Sequence, residues 1–199
     1  MTTRVIDVSE LPTTGFGSRM TIWWGMVVFL AIEGTVLAML AATYLYLWRL
    51  APSWPPADTP SPTILRATVN VLLLVASVPL ATLGDRAARR EDDRQTLAYV
   101  LAVLGVGVVA LVLRGFELHD LNCRWSDNAY ASTVWTITGM HGTHLLAETL
   151  ENLLLAIVFV TGKRERKHFV DVHVNMVYWY FVVGAWVPLY ALVFLLPQP

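Results

Sequence analysis

Five long apolar stretches, separated by short polar or proline-rich segments, constrain this chain more than any other feature. The hydrocarbon core of a bilayer is about 30 Å thick, and a helix of roughly 20 apolar residues crosses it. With 199 residues, 56% hydrophobic and 15% charged, the chain has length for five such helices and no separate soluble domain. We therefore expect an all-α, polytopic transmembrane bundle over residues 23–199, preceded by a cytoplasmic N-terminal tail, residues 1–22. The predicted spans are residues 23–48, 64–83, 97–113, 133–160 and 174–196.

Lysine and arginine are distributed unevenly between the two sets of predicted loops. Most of the 14 Lys and Arg residues fall in the tail, the second loop and the fourth loop. Short cytoplasmic loops are enriched in these residues, so the pattern predicts a multi-pass protein of the cell inner (plasma) membrane with its N-terminus inside. The formal net charge of −1 argues against a nucleic-acid partner, which needs a basic face. The opposite side of the membrane has fewer lysines and arginines: Arg49, Arg66, Arg114 and Arg124.

One acidic residue lies deep in the first predicted span. Glu33 is about ten residues from the start of that span, close to the bilayer midplane, where an unpaired carboxylate is strongly disfavoured. We therefore expect Glu33 to face other helices and to be either protonated or paired. Two interpretations stay open: a structural hydrogen bond to a neighbouring helix, or an acid that handles protons or lines a lipid cavity.

The fourth predicted span has one polar face. At about 100° per residue, its four ionisable side chains fall within an arc of about 80°. Glu and His at such spacings can ligate a di-iron or zinc site if other helices supply matching ligands. Outside this span, only Glu33 lies deep enough to supply a further ligand, whereas Glu117 lies near a membrane interface. We therefore expect a hydrogen-bond network between helices or a protein contact, with no metal site; an independent membrane metalloenzyme is the alternative. The four side chains are His141, His144, Glu148 and Glu151.

The chain itself is expected to hold no cofactor and no catalytic residue. No predicted span offers a pair of deep histidines on separate helices, which haem ligation would need. The sequence also contains no phosphate-binding loop, glycine-rich nucleotide turn or nucleophile motif.

Several segments together resemble subunit III of the haem-copper oxidases, the cytochrome c and quinol oxidases. Residues 24–33 are similar to the family's G-M-x-x-F-x-x-x-E helix, with Glu33 on its carbodiimide-reactive acid. Residues 127–144 are similar to D-G-x-Y-G-S-T followed by T-G-x-H-G-x-H. Residues 178–186 resemble Y-W-H-F-V-D-V-V-W, with Tyr180 and Val183 in place of His and Asp. The resemblance covers about residues 23–196, and Asn70 and Glu117 also match family positions.

The resemblance implies a short, five-helix form of subunit III. Such a subunit carries no redox centre, packs against the catalytic subunit I, binds phospholipids and supports proton uptake during reduction of oxygen to water. Haem and copper are expected in the partner subunits. An accessory protein of a nitric oxide reductase or a quinol oxidase is the alternative within this family. The residues expected to contact another subunit or lipid are Asn70, Tyr130, Trp179 and Trp186.

Overall fold

The computed structural model describes residues 15–18, 20–163 and 165–197. In this part of the chain all regular secondary structure is helical, and five helices are long and apolar enough to cross a membrane. This confirms the predicted all-α bundle; the orientation of the N-terminus stays a prediction. Most of the predicted tail, residues 1–14 and 19, lies outside the described residues. The helices are α1 (Thr21–Leu50), α2 (Ile64–Arg89), α3 (Asp93–His119), α4 (Ala129–Val160) and α5 (Arg166–Tyr190), which a π-helical turn (Ala191–Leu195) extends.

Residues at the boundaries explain where several helices begin and end. The side chain of Asn128 caps α4 by accepting the Ala131 amide at 2.8 Å. Asp92 caps α3 in the same way through the Gln95 amide, at 2.9 Å. Each cap satisfies an amide that has no partner within the first turn. The proline-rich segment 52–62 separates α1 from α2, because proline has no amide hydrogen to donate within a helix.

Four of the five helices form a closed ring. α2 packs against α3 and α5, and α4 packs against the same two helices, so the core lies between these four. α1 lies outside the ring and contacts α4 and α5. The close approach of α3 and α4 requires Gly107, since a Cβ atom there would lie 2.6 Å from the Thr149 hydroxyl oxygen. Small residues at such crossings allow membrane helices to pack closely.

α1 is attached to the ring along a narrow strip. Only Leu37 and Tyr44 of its 30 residues are buried. The Tyr44 ring packs edge-on against Trp54 at 5.2 Å and lies 6.4 Å from the ring of Tyr130 on α4. Most of the surface of α1 is therefore free to face lipid or other proteins.

The helices are longer than the hydrocarbon core requires. α4 has 32 residues and at about 1.5 Å per residue is close to 48 Å long, whereas the hydrocarbon core is about 30 Å thick. The ends of α4 therefore project into the headgroup layers. His144 lies at the middle of α4, and Glu33 lies within one turn of the middle of α1. These two side chains are consequently placed near the centre of the membrane.

Candidate functional site: the polar network between the helices

A chain of hydrogen bonds crosses the ring between α2, α3 and α4. Asn70 Nδ2 donates to Glu117 Oε1 at 2.6 Å and to the Ala110 carbonyl oxygen at 3.2 Å. Arg114 Nη1 donates to Glu117 Oε2 at 2.5 Å. Arg114 Nη2 in turn donates to His141 Nδ1 at 3.0 Å. We call these four residues, Asn70, Glu117, Arg114 and His141, the core polar chain.

Both ring nitrogens of His141 are engaged. Nε2 lies 2.9 Å from the Val182 carbonyl oxygen on α5, which can only accept, so Nε2 carries the hydrogen. Nδ1 faces the Arg114 guanidinium, which can only donate, so Nδ1 is the acceptor. His141 is therefore a neutral imidazole that links α5 to the core polar chain. With both nitrogens occupied, it has no position left to bind a metal ion.

The Arg114 guanidinium is held inside the ring by three kinds of contact. Its Nη1 forms an ion pair with Glu117, and both side chains are almost fully buried. Its central carbon lies 3.7 Å from the centre of the Trp186 ring, and the same ring stacks on His141 at 4.4 Å. A buried ion pair requires this kind of additional hydrogen bonding and packing to offset desolvation of the charges.

Arg114 belongs to the core polar chain, although the sequence did not predict it as a site residue. Its position after residue 113 placed it in a predicted loop, whereas the structure places it within α3 with 3% of its surface exposed. The available signal was the spacing of Arg114 and Glu117, because oppositely charged residues three positions apart pair along a helix.

Glu33 and His144 join α1 to α4. His144 Nε2 forms a hydrogen bond with Glu33 Oε2. The side chain of Glu33 is 19% exposed and that of His144 is 8% exposed. The deep acid identified in the sequence is therefore paired with a histidine of the polar face of α4.

The two other acids of that face both interact with Asn175 on α5. Glu148 is fully buried, and its Oε1 accepts from Asn152 Nδ2 at 3.1 Å. Glu151 is exposed, and its Oε2 accepts from Asn175 Nδ2 on α5 at 3.2 Å. The polar face therefore contacts three other helices: His144 meets Glu33 on α1, His141 meets Arg114 on α3, and both acids meet Asn175 on α5. Across the described ranges, no group of three or more His, Cys, Asp or Glu side chains is placed to hold a metal ion.

The residues expected to contact another subunit or lipid lie inside the chain's own core. Each is at most 1% exposed: Asn70, Tyr130, Trp179 and Trp186. Trp179 Nε1 donates to Ser77 Oγ at 2.8 Å and so connects α5 to α2. Tyr130 packs edge-on against Trp54, at 5.0 Å between ring centres. These side chains therefore hold the helices of this chain together, and other residues form its outer surface.

A second polar cluster, which the sequence analysis did not identify, connects α2 to α5 near the end of α2. His173 Nδ1 lies 2.6 Å from Asp85 Oδ1, and Arg89 Nε donates to both Asp85 oxygens at 3.1 Å. The ring of Trp23 stacks on His173 at 5.7 Å, and that of Phe16 meets it edge-on at 5.8 Å. The cluster fixes the start of α1 against the rest of the bundle.

The single cysteine lies between α3 and α4, outside the helices. Burial raises the pKa of the Cys123 thiol, and the nearby Asp127 carboxylate raises it further. The Cys123 carbonyl oxygen accepts from Trp135 Nε1 at 2.9 Å. The thiol is therefore held mainly in its protonated, unreactive form near neutral pH.

Comparison with known proteins points to one family. A family model described as cytochrome c oxidase subunit III matches residues 13–197. A protein of Synechocystis sp. named cytochrome c oxidase subunit 3 is 29% identical over 176 residues, which cover 87% of this chain and 75% of the relative. A protein of the same name from Thermostichus vulcanus is 28% identical over 177 residues, covering 87% of each chain. One from Artemia franciscana is 28% identical over 182 residues, covering 88% of this chain and 68% of the relative.

Proposed function

Because this chain belongs to the cytochrome c oxidase subunit III family, as its motifs predicted, we propose that it is the non-catalytic subunit III of an aerobic haem-copper terminal oxidase. It lies in the plasma membrane as a multi-pass protein and packs against the catalytic subunit I. It holds phospholipids and supports proton uptake while its partner reduces oxygen to water. Haem and copper belong to the partner subunits.

The bonding of the core polar chain is the observation that supports this proposal. Its four side chains bind one another and two backbone carbonyl groups, and so connect α2, α3, α4 and α5. A catalytic centre needs groups that keep a free position aimed at a substrate or metal. The charged groups of Arg114 and Glu117 instead bind each other and side chains of neighbouring helices, an arrangement that suits a supporting subunit.

The outer face of α1 offers a surface for lipid and for neighbouring subunits. Large apolar side chains recur there every four or seven residues, so they form one stripe along the helix. Such a stripe suits contact with acyl chains and with the transmembrane helices of a partner. The exposed residues of this stripe are Trp24, Val28, Ile32, Met39 and Tyr46.

Gentle purification tests the proposed partner. The tagged chain, solubilised from membranes in mild detergent, should co-purify with a catalytic subunit that contains haem and copper. Depleting the chain should leave the haem spectrum and the initial rate of oxygen consumption largely intact. Proton uptake should slow, and activity should decay during sustained turnover.

Two results would contradict the proposal. Complete loss of the initial rate, in a complex whose partner keeps its full metal content, would show that this chain takes part in the chemistry. Co-purification with a nitric oxide reductase in place of an oxidase would assign the chain to a different complex. A metal assay on the purified single chain would then test the metalloenzyme alternative directly.

A further inference from the structure

We propose that the interface of α1, α4 and α5 carries protons from a cleft near one membrane surface to the Glu33–His144 pair in the middle of the membrane. We call this path the acidic seam; its members, in order, are Glu151, Asn175, Glu148, His144 and Glu33. The inference rests on the proposed function, because protons that reach Glu33 need a partner subunit to consume them.

The seam begins at an open cleft of about 310 Å³. Two carboxylates line this cleft, those of Glu151 and Asp171, and apolar side chains of all three helices form most of its wall. Asp171 lies five residues after the start of α5 at Arg166, which is about 8 Å along the helix axis. The mouth of the cleft is therefore near the headgroup boundary, where water is available.

Four buried polar atoms along the seam have no hydrogen-bond partner among the described residues. Buried polar groups are nearly always hydrogen-bonded, either to protein or to ordered water. The residues concerned are each at most 6% exposed, and they lie on α4 and on the facing side of α5. Their unused hydrogen-bonding capacity marks a site for small, ordered water molecules. The atoms are Asn152 Oδ1, Asn175 Oδ1, Glu148 Oε2 and His144 Nδ1.

Asn175 connects the cleft to the buried part of the seam. It lines the cleft and donates to Glu151 Oε2 at 3.2 Å, while its own Oδ1 has no protein partner. Its side chain also interacts with the Glu148 carboxyl group. An amide does not itself relay protons, so we assign the transfer from the exposed Glu151 to the buried Glu148 to a water molecule held by Asn175 Oδ1 and Glu148 Oε2.

Glu148 and His144 are one helical turn apart on α4. Residues four positions apart have Cβ atoms about 5–6 Å from each other, a gap that the side chains span directly or through one water molecule. Asn152 occupies Glu148 Oε1, so Oε2 is the oxygen that can exchange a proton. An ionised carboxylate with an unpaired oxygen is costly at this depth. We therefore place the resting proton on Oε2.

The imidazole of His144 passes the proton on through its two nitrogens. We assign Glu33 as the carboxylate that accepts from Nε2 across their hydrogen bond, so Nδ1 is the acceptor of the neutral ring. In the transfer, the Glu148 O–H bond breaks and an Nδ1–H bond forms, while the Nε2–H bond breaks and a Glu33 O–H bond forms. A proton from the cleft then re-protonates Glu148. Glu33 then releases its proton to the partner subunit, and the imidazole ring of His144 rotates to restore its starting hydrogen-bond arrangement.

Other titratable groups face the seam from α4 and α5. Lys167 and His168 interact electrostatically with Asp171 at the mouth, and Tyr178 lies close enough to interact with Glu33, Glu148 and Glu151. His141, which interacts with His144 and Arg114 on its other side, uses both ring nitrogens. It therefore cannot accept a proton without breaking a bond of the core polar chain.

Infrared difference spectroscopy of the intact complex, transferred from H₂O to D₂O, tests the path. A protonated carboxyl group gives a C=O band that shifts when its proton exchanges. We expect one such band to be missing in Glu148→Gln and to shift more slowly in Asn175→Leu, a substitution of similar volume that removes the polar link. Glu91→Gln, which removes an exposed acid that pairs with Arg166 outside the seam, is the matched control and should change neither the band nor its exchange.

Proton uptake during oxygen reduction gives the functional readout. Glu148→Gln should lower the uptake rate to the level of the complex depleted of this chain, while the rate of haem reduction stays unchanged. A band that persists in Glu148→Gln, or exchange that is as fast in Asn175→Leu as in the parent, would overturn the proposal. If Glu148→Gln does not assemble, Asn175→Leu decides alone. Failure of the proposed function looks different: the chain would not co-purify with an oxidase, yet its carboxyl exchange would still depend on Asn175.

Discussion

Replacing Arg114 with methionine tests whether the buried ion pair of α3 stabilises the bundle. Methionine keeps the apolar stem but leaves the Glu117 carboxylate buried, with Asn70 as its remaining hydrogen-bond donor. Removing one partner of a buried ion pair costs about 3–5 kcal/mol, and the lost contact with the Trp186 ring adds about 0.5–2 kcal/mol. We therefore expect the free energy of unfolding to fall by about 3.5–7 kcal/mol.

Two further variants separate the buried charge from other effects. Adding Glu117→Gln to Arg114→Met should recover much of the loss, because no unpaired charge remains and the amide oxygen still accepts from Asn70. Arg166→Met is the matched control, since its ion pair with Glu91, at 2.9 Å, has both side chains exposed. An exposed pair contributes at most about 1 kcal/mol, so this control should remain close to the parent.

Unfolding of the purified chain in mixed micelles, with increasing denaturing detergent and tryptophan fluorescence as the signal, measures these differences. With Glu117→Gln measured alone as well, the double-mutant cycle isolates the interaction between the two residues. The reasoning fails if Arg114→Met is no less stable than Arg166→Met, or if the double variant is no more stable than Arg114→Met alone.

Three other outcomes are expected. In a variant lacking the native cysteine, Arg90→Cys should be shielded from an impermeant thiol reagent in intact cells, and Ser61→Cys should react. Labelling at position 90 but not at position 61 would show that the chain has the opposite orientation. Because its pKa is raised, the Cys123 thiol should alkylate more slowly than a free thiol of pKa about 8.5, and the rate should increase as the pH rises. Asp127→Asn should also increase the rate, because it removes a carboxylate that raises the Cys123 pKa; equal rates in this variant and the parent would show that the carboxylate has no effect on the thiol. Glu33→Gln should still co-purify with the complex, because an amide oxygen also accepts from the histidine; loss of assembly would show that the charge is structural.

The five helices could be predicted from the sequence because the bilayer requires each membrane-spanning segment to be apolar on average. Any segment of roughly 20 residues that crosses hydrocarbon must be apolar, so hydropathy alone identifies it. The same requirement singled out Glu33, since an isolated carboxylate is costly at the midplane. Its partner could not be predicted, because Glu33 and His144 are 111 positions apart and only the packing of α1 on α4 brings them together.

The ends of the helices and the buried faces were harder to predict for a related reason. The third predicted span stops at residue 113, where charge begins, whereas α3 continues to His119. A hydropathy average cannot register that Arg114 is neutralised by Glu117 and packed under a tryptophan ring. Helices that are apolar on all sides also give little sign of which face is inside, so the burial of Asn70 and Trp179 did not show in their pattern.

The last helix shows how this chain departs from the pattern that it resembles. Where that pattern has His and Asp, α5 has Tyr180 and Val183. The Tyr180 hydroxyl donates to Thr82 Oγ1 on α2 at 3.2 Å, and Val183 packs in the core at 3% exposure. Both positions therefore serve packing between helices, and neither places a carboxyl group in the membrane. The acids of the bundle interior lie instead on α3 and α4, at Glu117 and Glu148. Glu117 is neutralised by an arginine, whereas Glu148 keeps one oxygen without a protein partner, which makes it the buried acid of α4 that remains available to exchange a proton.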